Sequence, residues 1–575
     1  MSRRKKLWRT YPDRPELTRE LSVRHGVPPL VARVLLNRGL TDPEDVLAYL
    51  DPTLDRLHPP FGLPDLEPAA ARLGQAVRRG EPVAVYGDYD ADGLTATCLL
   101  RQFFRELGLE CLTYIPDRLT EGYGLRIPAL KQLAAQVRLL VTVDCGVSDA
   151  EEIAWAKAHG LEVIVTDHHE IPPELPPALA VVNPKRAGQE YPFDDLAGVG
   201  VALLLALGVR AELRVEGFFE RHPEPNLKSC LDLVALGTAA DVVPVVGENR
   251  ILVRQGLKVL EKTRRPGLLA LKEVVSLEGK PVSYKDLVFR LAPRLNAAGR
   301  MGQARTALEL LLNDDLAQAR IQARYLHELN RERQALEEGV LRQAAALVRR
   351  SGLDKRPVMV LAKEGWHPGV LGIVAARLAE EYHRPVALIS LVDSQGKGSA
   401  RSVEGFHLFQ GLNACRVLLL KYGGHQAAAG FTVAADKVAA LQEGLEEAFY
   451  QQLGAEPPRP VLRVDAQVEL AQLDQAFFNH LEKLRPFGPG NPEPVFACLG
   501  VECLSSRVVG ERHLRVQLAQ GGCVREIIAF DQAVQGLPPG PLEVAVSTRL
   551  SYYNGQNYPE IRLLDWNRVS VSSEQ

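Results

Sequence analysis

Three short apolar runs in this chain each end in acids: Pro82-Val83-Ala84-Val85-Tyr86 leads into Gly87-Asp88-Tyr89-Asp90-Ala91-Asp92-Gly93, residues 139–143 into Asp144, and residues 161–166 into Asp167-His168-His169. In an open α/β sheet the ligand lies beyond the carboxyl ends of the strands, so these are the positions where chemistry would sit. A single aspartate there often does no more than cap the next helix. Three successive tips of this kind exceed what capping needs. A glycine-rich loop binds phosphate through bare amides, but a carboxylate ring repels it unless cations intervene. Divalent metal is therefore the economical reading. Mixed carboxylate and imidazole donors suit Mn²⁺, Fe²⁺ or Zn²⁺ better than Mg²⁺. Four or more carboxylates can hold two ions about 3.5 to 4 Å apart, the arrangement that activates water and clamps a phosphoryl group.

The elements that must position these tips are legible as a pattern. Runs at 82–86, 110–115, 139–143, 161–166 and 178–182 alternate with helical stretches such as 94–107 and 149–159. Strands separated by helices of that length predict right-handed crossovers and a parallel, doubly wound sheet. Residues 15–50 read as helical, and the apolar stretch 196–209 reads as a buried helix, too short for the ~18 residues of a membrane span. Residues 315–350 predict one long amphipathic helix with no proline. A second α/β segment follows, with strands at 358–361 and 385–391, a helix at 370–382 and another helix ending in Tyr422-Gly423-Gly424-His425. After the linker at 454–460, strand-like segments at 515–518, 526–530, 542–550 and 560–564, with a turn at Asn554-Gly555, predict a small all-β barrel or sandwich.

At 575 residues, three or four domains of about 150 residues each are expected. With 46% hydrophobic and 24% charged residues the chain excludes disordered and fibrous classes. Eight cysteines without CxxC pairing argue against a disulfide framework or a structural zinc site, and fit a reducing cytoplasm. The basic start Ser2-Arg3-Arg4-Lys5-Lys6 is not followed by an apolar run, which argues against a secretory signal. A net charge of −3 does not advertise a nucleic-acid binder, although residues 1–40 carry ten Arg or Lys against three acids.

Taken with Val143-Asp144-Cys145-Gly146, Asp167-His168-His169 and Gly423-Gly424-His425, the 87–93 run resembles the DHH phosphoesterase superfamily with its DHHA1 companion domain. Ile115-Pro116-Asp117-Arg118, Glu121-Gly122-Tyr123-Gly124, the run from Ala292-Pro293-Arg294-Leu295-Asn296 to Arg300, Gly365-Trp366-His367-Pro368-Gly369 and the following barrel narrow the resemblance. Over nearly the whole chain it is to the bacterial single-stranded-DNA exonucleases of that superfamily.

The resemblance implies five regions: a helical segment at 1–65 packed on a DHH domain at 66–314, a connecting helix at 315–350, a DHHA1 domain at 351–455, and an OB-like nucleic-acid-binding barrel at 456–575. It assigns Asp90 and Asp144 to one metal, and Asp92, Asp144, His168 and Asp241 to the other. Relatives carry a histidine four residues before the first ligand where this chain has Tyr86, so Asp88 or water would complete that shell. His169 would be catalytic from an outer position, and Arg118, Arg294, Ser399, Arg401, Gly424 and His425 would bind substrate. The implied reaction is 5'-to-3' hydrolysis of single-stranded DNA to 5'-mononucleotides in repair and recombination. Two divalent ions would serve it, Mn²⁺ preferred and Mg²⁺ the alternative, with a RecQ-type helicase and a single-stranded-DNA-binding protein as partners. The alternative is a superfamily phosphodiesterase acting on short oligonucleotides or cyclic dinucleotides.

Overall fold

The computed structural model describes residues 6–188, 191–454, 459–530, 536–553 and 556–569. Ser2 to Lys5, the middle of the expected linker at 455–458 and the turn at Asn554-Gly555 lie outside the described residues. Strand β1 (Leu7–Thr10) is followed by the helices Pro15–His25, Pro29–Asn37 and Pro43–Leu50. Each starts at a proline, whose fixed φ and missing N–H suit a first helical turn. Asp42 caps the third by accepting from the Glu44 amide at 2.8 Å. The buried side chains of this segment, among them Val31, Val34, Leu35 and Val46, share one cluster with Phe477, Phe478, Leu484 and Phe496 of the C-terminal region. Later in the same segment Leu54, Leu57 and Leu63 pack with the core of the first lobe, so residues 1–65 touch both the barrel region and the DHH lobe expected for them. An amphipathic face declares that it needs a partner, not which partner.

Strands β2 (Val83–Gly87), β3 (Cys111–Tyr114), β4 (Leu139–Val143), β5 (Glu162–Thr166) and β6 (Ala180–Val182) form a parallel sheet in the order β3-β2-β4-β5-β6. Every residue of β2 and β4 is buried, which is why these strands read as unbroken apolar runs. Val83, Val85 and Val141 pack on one face with Leu94 and Val199. Ala84, Tyr86 and Leu140 pack on the other with Leu130 and Ile153. The register then builds the site: Gly87 pairs with Val143 and Val143 with Thr166. Asp88, Asp144 and Asp167, each the next residue, therefore leave three adjacent strands side by side, about 4.8 Å per strand.

The helix Leu316–Ser351, capped by Asp315 and ended by Gly352 at φ +67°, leads to the second lobe. Its sheet runs β10 (Leu419–Gly424), β11 (Ala428–Ala434), β9 (Gln395–Arg401), β8 (Val386–Val392), β7 (Met359–Glu364). Here an expectation is corrected. Tyr422, Gly423 and Gly424 do not end a helix but form the edge strand β10, and the preceding helix stops at Ala414.

β12 (Val461–Val464) pairs in parallel with β1. Beyond β13 (Ala466–Gln467), strands β14 (Val495–Val509), β15 (His513–Gln520), β16 (Cys523–Ala529), β17 (Pro541–Tyr553) and β18 (Gln556–Arg568) close a five-stranded barrel through the β14–β17 pairing. Closure removes the open edges that would invite pairing with other chains. Arg250, 1% exposed, ties the barrel to the first lobe. Its guanidinium donates to the carbonyls of Tyr49 (3.0 Å), Lys483 (3.0 Å) and Leu484 (3.0 Å) and lies 3.8 Å from the Tyr49 ring centroid. Asn491 donates to the carbonyls of Leu484 and Pro486, and the Val245 amide donates to Pro489 at 2.7 Å.

Candidate active site

Each acid is set by a different local device. Asp90 caps the helix Ala91–Glu106, accepting from the Asp92 amide at 2.9 Å, while Asn296 accepts from the Ala91 amide at 2.8 Å. Asp92 is buried and accepts from the Gly198 (2.7 Å) and Val199 (2.9 Å) amides at the start of the helix Gly198–Val215, where the helix dipole favours a carboxylate. Asp144 stands at φ +61°, and its amide donates to the Thr166 carbonyl. Asp241 follows the helix Leu231–Ala240 at its C-terminus, and Val242 beyond it has φ +64°. A β-branched residue in the left-handed region is strained, a state tolerated mostly where function requires it.

His168 Nε2 lies 3.1 Å from Asp144 Oδ1, 3.5 Å from Asp241 Oδ2 and 4.0 Å from Asp92 Oδ2. Three sets of donor atoms fall within 4.8 Å of one another: Asp88, Asp90 and Asp144; Asp92, His168 and Asp241; Asp144, His168 and His169. Burial, reinforced by Asp90, pushes Asp92 up to about 7. Burial and the neighbouring aspartates likewise raise Asp88, Asp144 and Asp241. Burial, together with His169, brings His168 down to about 3, which keeps its imidazole neutral as a metal ligand must be.

Around this cluster lies a supporting layer. Asp167, fully buried, accepts from the amides of Val147, His168 and His169 and from His169 Nδ1 at 2.7 Å. Against its burial, the His169 contact draws it down to about 2, and the same contact overcomes burial to lift His169 to about 9. Tyr123 donates to the Asp144 carbonyl and lies 3.2 Å from His169 Nδ1. Tyr86 is fully buried in the opposite face of the sheet, stacked on Tyr114, and donates to the Gly124 carbonyl at 3.0 Å, so it takes no part in the cluster. Asp88 Oδ1 is buried with no hydrogen-bond partner. An unsatisfied buried carboxylate oxygen among repelling acids is what a divalent cation would resolve, so the residues present fit such an ion.

Cationic groups from both lobes face the acids. Arg118 lies over the Tyr89 ring and acts electrostatically on Asp88. Arg401, at the end of β9, donates to Ser399 Oγ and to the Ala400 carbonyl; its charge is felt by His425, which His169 also influences. Gly424 holds φ +144° beside His425, whose amide donates to the Ala428 carbonyl. Arg294 lies apart from this group, 3.5 Å from His327 on the long helix. Among the described residues, none of Arg118, Arg294, Arg300 and Arg401 has a carboxylate oxygen within 4 Å. A guanidinium left without a carboxylate has a donor fork whose geometry suits a phosphate. Arg300, whose guanidinium donates to the Gly369 carbonyl between the lobes, and Lys185 on the loop after β6 also face the site. Sequence reasoning passed over both, although Arg300 closes the 292–300 motif and Lys185 follows a fourth strand tip.

Residues 82–238 match the description "DHH family, N-terminal domain", 355–451 "DHHA1 domain", and 464–565 "RecJ OB domain". The single-stranded-DNA-specific exonuclease RecJ of Thermus thermophilus is 38% identical over 95% of this chain and 76% of its own length. That of Bacillus subtilis is 35% identical over 96% of this chain and 70% of its own. The chain belongs to the RecJ family. A crystal structure of Thermus thermophilus RecJ in complex with Mn²⁺ covers 98% of this chain and 79% of that one, at 35% identity and a TM-score of 0.85. Another, with Mg²⁺, has a TM-score of 0.78. The acid and histidine cluster, whose donor atoms could hold a divalent cation, thus lies in a chain whose solved relatives are complexes with Mn²⁺ and Mg²⁺.

The close packing behind the centre yields one expected result. A Cβ on Gly237 would lie 2.3 Å from Thr95 Oγ1 and 2.8 Å from Asp92 Oδ1. Gly237→Ala therefore destabilises the fold by about 1 to 3 kcal/mol through overpacking and weakens metal binding by displacing Asp92. Thermal melting with and without Mn²⁺ checks it.

Proposed function

We propose that this chain degrades single-stranded DNA from the 5' end, releasing 5'-mononucleotides by two-metal hydrolysis, in DNA repair and recombination. The observation that carries the reading is the meeting of an acid and histidine cluster with carboxylate-free guanidiniums, Arg118 from the same lobe and Arg401 from the second, beside a barrel of the RecJ OB type. Asp90 and Asp144, completed by Asp88, would hold one ion, and Asp92, Asp144, His168 and Asp241 the other, with Mn²⁺ the preferred metal. Bound there, the ions would supply a positive charge for the scissile phosphate and a lowered pKa for an attacking water.

The chain's own residues do the rest. Asp167 fixes His169 with its proton retained, so that His169 presents positive charge at the rim of the cluster beside Tyr123. Arg118, Ser399, Arg401, Gly424 and His425 seat the strand's terminal phosphate, and Arg294 meets the backbone further along. The division of labour follows residues 66–314 for hydrolysis, 315–350 as spacer, 351–455 as the phosphate-binding lobe and 456–575 for holding the strand, with 1–65 supporting the barrel. The enzyme works in the cytoplasm with a RecQ-type helicase that opens duplex and a protein that coats single strands. Among the described residues no helix is long and apolar enough to cross a membrane.

Incubation of the chain and Mn²⁺ with a long 5'-phosphorylated single strand, a duplex and a cyclic dinucleotide separates the possibilities. The single strand is degraded fastest, to mononucleotides. Equal or faster turnover of the cyclic dinucleotide would sink the exonuclease reading in favour of a small-substrate phosphodiesterase.

A further inference from the structure

A cavity of about 540 Å³ lies between the first lobe and the barrel. Arg254, Lys280, Lys285, Arg290, Arg485 and Arg549 line it, six cations against the four acids Glu261, Asp286, Glu482 and Glu493. Its Tyr284 wall lies within electrostatic reach of the acid cluster. A Cβ on Gly488 would lie 2.6 Å from Val245, four residues after Asp241, and 2.8 Å from the Tyr284 ring that forms one wall. Tyr284 feels the charge of Asp241.

Just past Tyr284 the chain makes one π-helical turn, Leu287–Leu291, which packs on the helix leading to Asp241. Such turns are rare and recur at functional sites. Leu287 and Leu291 are fully buried, whereas Phe289 between them is 69% exposed. Arg290 is held in place by Asp286 at 3.0 Å and by the Val275 carbonyl. Arg294 follows within the next helical turn, its Nε buried without a hydrogen-bond partner. An exposed aromatic ring one residue before a guanidinium that lines the cavity offers a nucleotide a π-face for its base and nearby charge for its backbone.

Resting on the exonuclease reading, we propose that Phe289 is a stacking platform for a base of the single strand as it runs between the metal centre and the barrel, with Arg290 and Arg294 beside its phosphates. Phe289→Ala raises KM for a long single strand by about tenfold, the scale of one lost base stack, and leaves kcat unchanged. A dinucleotide, too short to reach the platform, is hydrolysed as before. Phe289→Trp restores the parental KM, and a fluorescent base analogue in the strand is quenched by the parent and by Phe289→Trp but not by Phe289→Ala. An unchanged KM, or equal losses on strand and dinucleotide, overturns the stacking role while parental turnover leaves the exonuclease reading intact. Failure of the parent itself to degrade the strand removes both.

Discussion

Asp144→Asn loses hydrolysis of single-stranded DNA by about a thousandfold or more while folding as well as the parent, a loss on the scale of several kcal/mol of transition-state stabilisation. Asp144 belongs to two of the three groups of convergent donor atoms, one with Asp88 and Asp90 and one with His168 and His169, and its carboxylate stands 3.1 Å from His168, which belongs to the group of Asp92 and Asp241. Asparagine is the informative replacement because Asp144 sits at φ +61°, where asparagine is tolerated and alanine is strained. Burial and the surrounding aspartates already disfavour the Asp144 charge. Its removal relieves repulsion in the metal-free protein, whose melting temperature does not fall. A variant that keeps parental kcat would exclude Asp144 as a ligand; one that melts far below the parent would show that the residue acts through the fold.

Chelation abolishes turnover, and Mn²⁺ binding strengthens as pH rises from about 4 to about 7. In the folded chain Asp92 is raised from 3.8 to about 7, with Asp88, Asp144 and Asp241 raised as well. A carboxyl raised on folding stabilises the fold fully below its unfolded pKa, and that contribution is lost as pH climbs through the folded value. His168, lowered from 6.5 to about 3, works in the opposite sense, its contribution being lost as pH falls towards 3. For metal binding the two agree, because every proton leaving a carboxylate or His168 frees a ligand. The gain in melting temperature on adding Mn²⁺ therefore grows across this window. Calorimetric titration at several pH values should show protons released on binding; a gain independent of pH would refute the assignment of these groups as ligands.

The acid-bearing tips were legible because β2, β4 and β5 are buried on both faces and so leave unbroken apolar runs that stop at acids. Asp241 was not legible on the same terms: one aspartate ending an apolar helix looks like a cap, and only the fold brings it to His168. β10 and β11 escaped because Tyr422-Gly423-Gly424 and the alanine- and glycine-rich start of β11 lack the β-branched signature of strands. The partner of the N-terminal helices and the β1–β12 pairing depend on contacts more than four hundred residues apart, which periodicity does not encode. Arg300 and Lys185 were hidden because a cation in a loop or at a helix end is ordinary until its neighbours are known.

The barrel is attached at more than its linker. β1 pairs with β12 just ahead of the barrel, and Arg250 of the first lobe grips the Tyr49 carbonyl of the N-terminal segment and the Lys483 and Leu484 carbonyls before the barrel. A module tethered by a flexible chain samples many distances and must find its partner again after each release. Held by Arg250 and by the Val245 amide on the Pro489 carbonyl, the barrel region instead has contacts of its own with the first lobe, so the distance a bound strand would span from the acid cluster to the barrel is set by the fold and not by the linker alone.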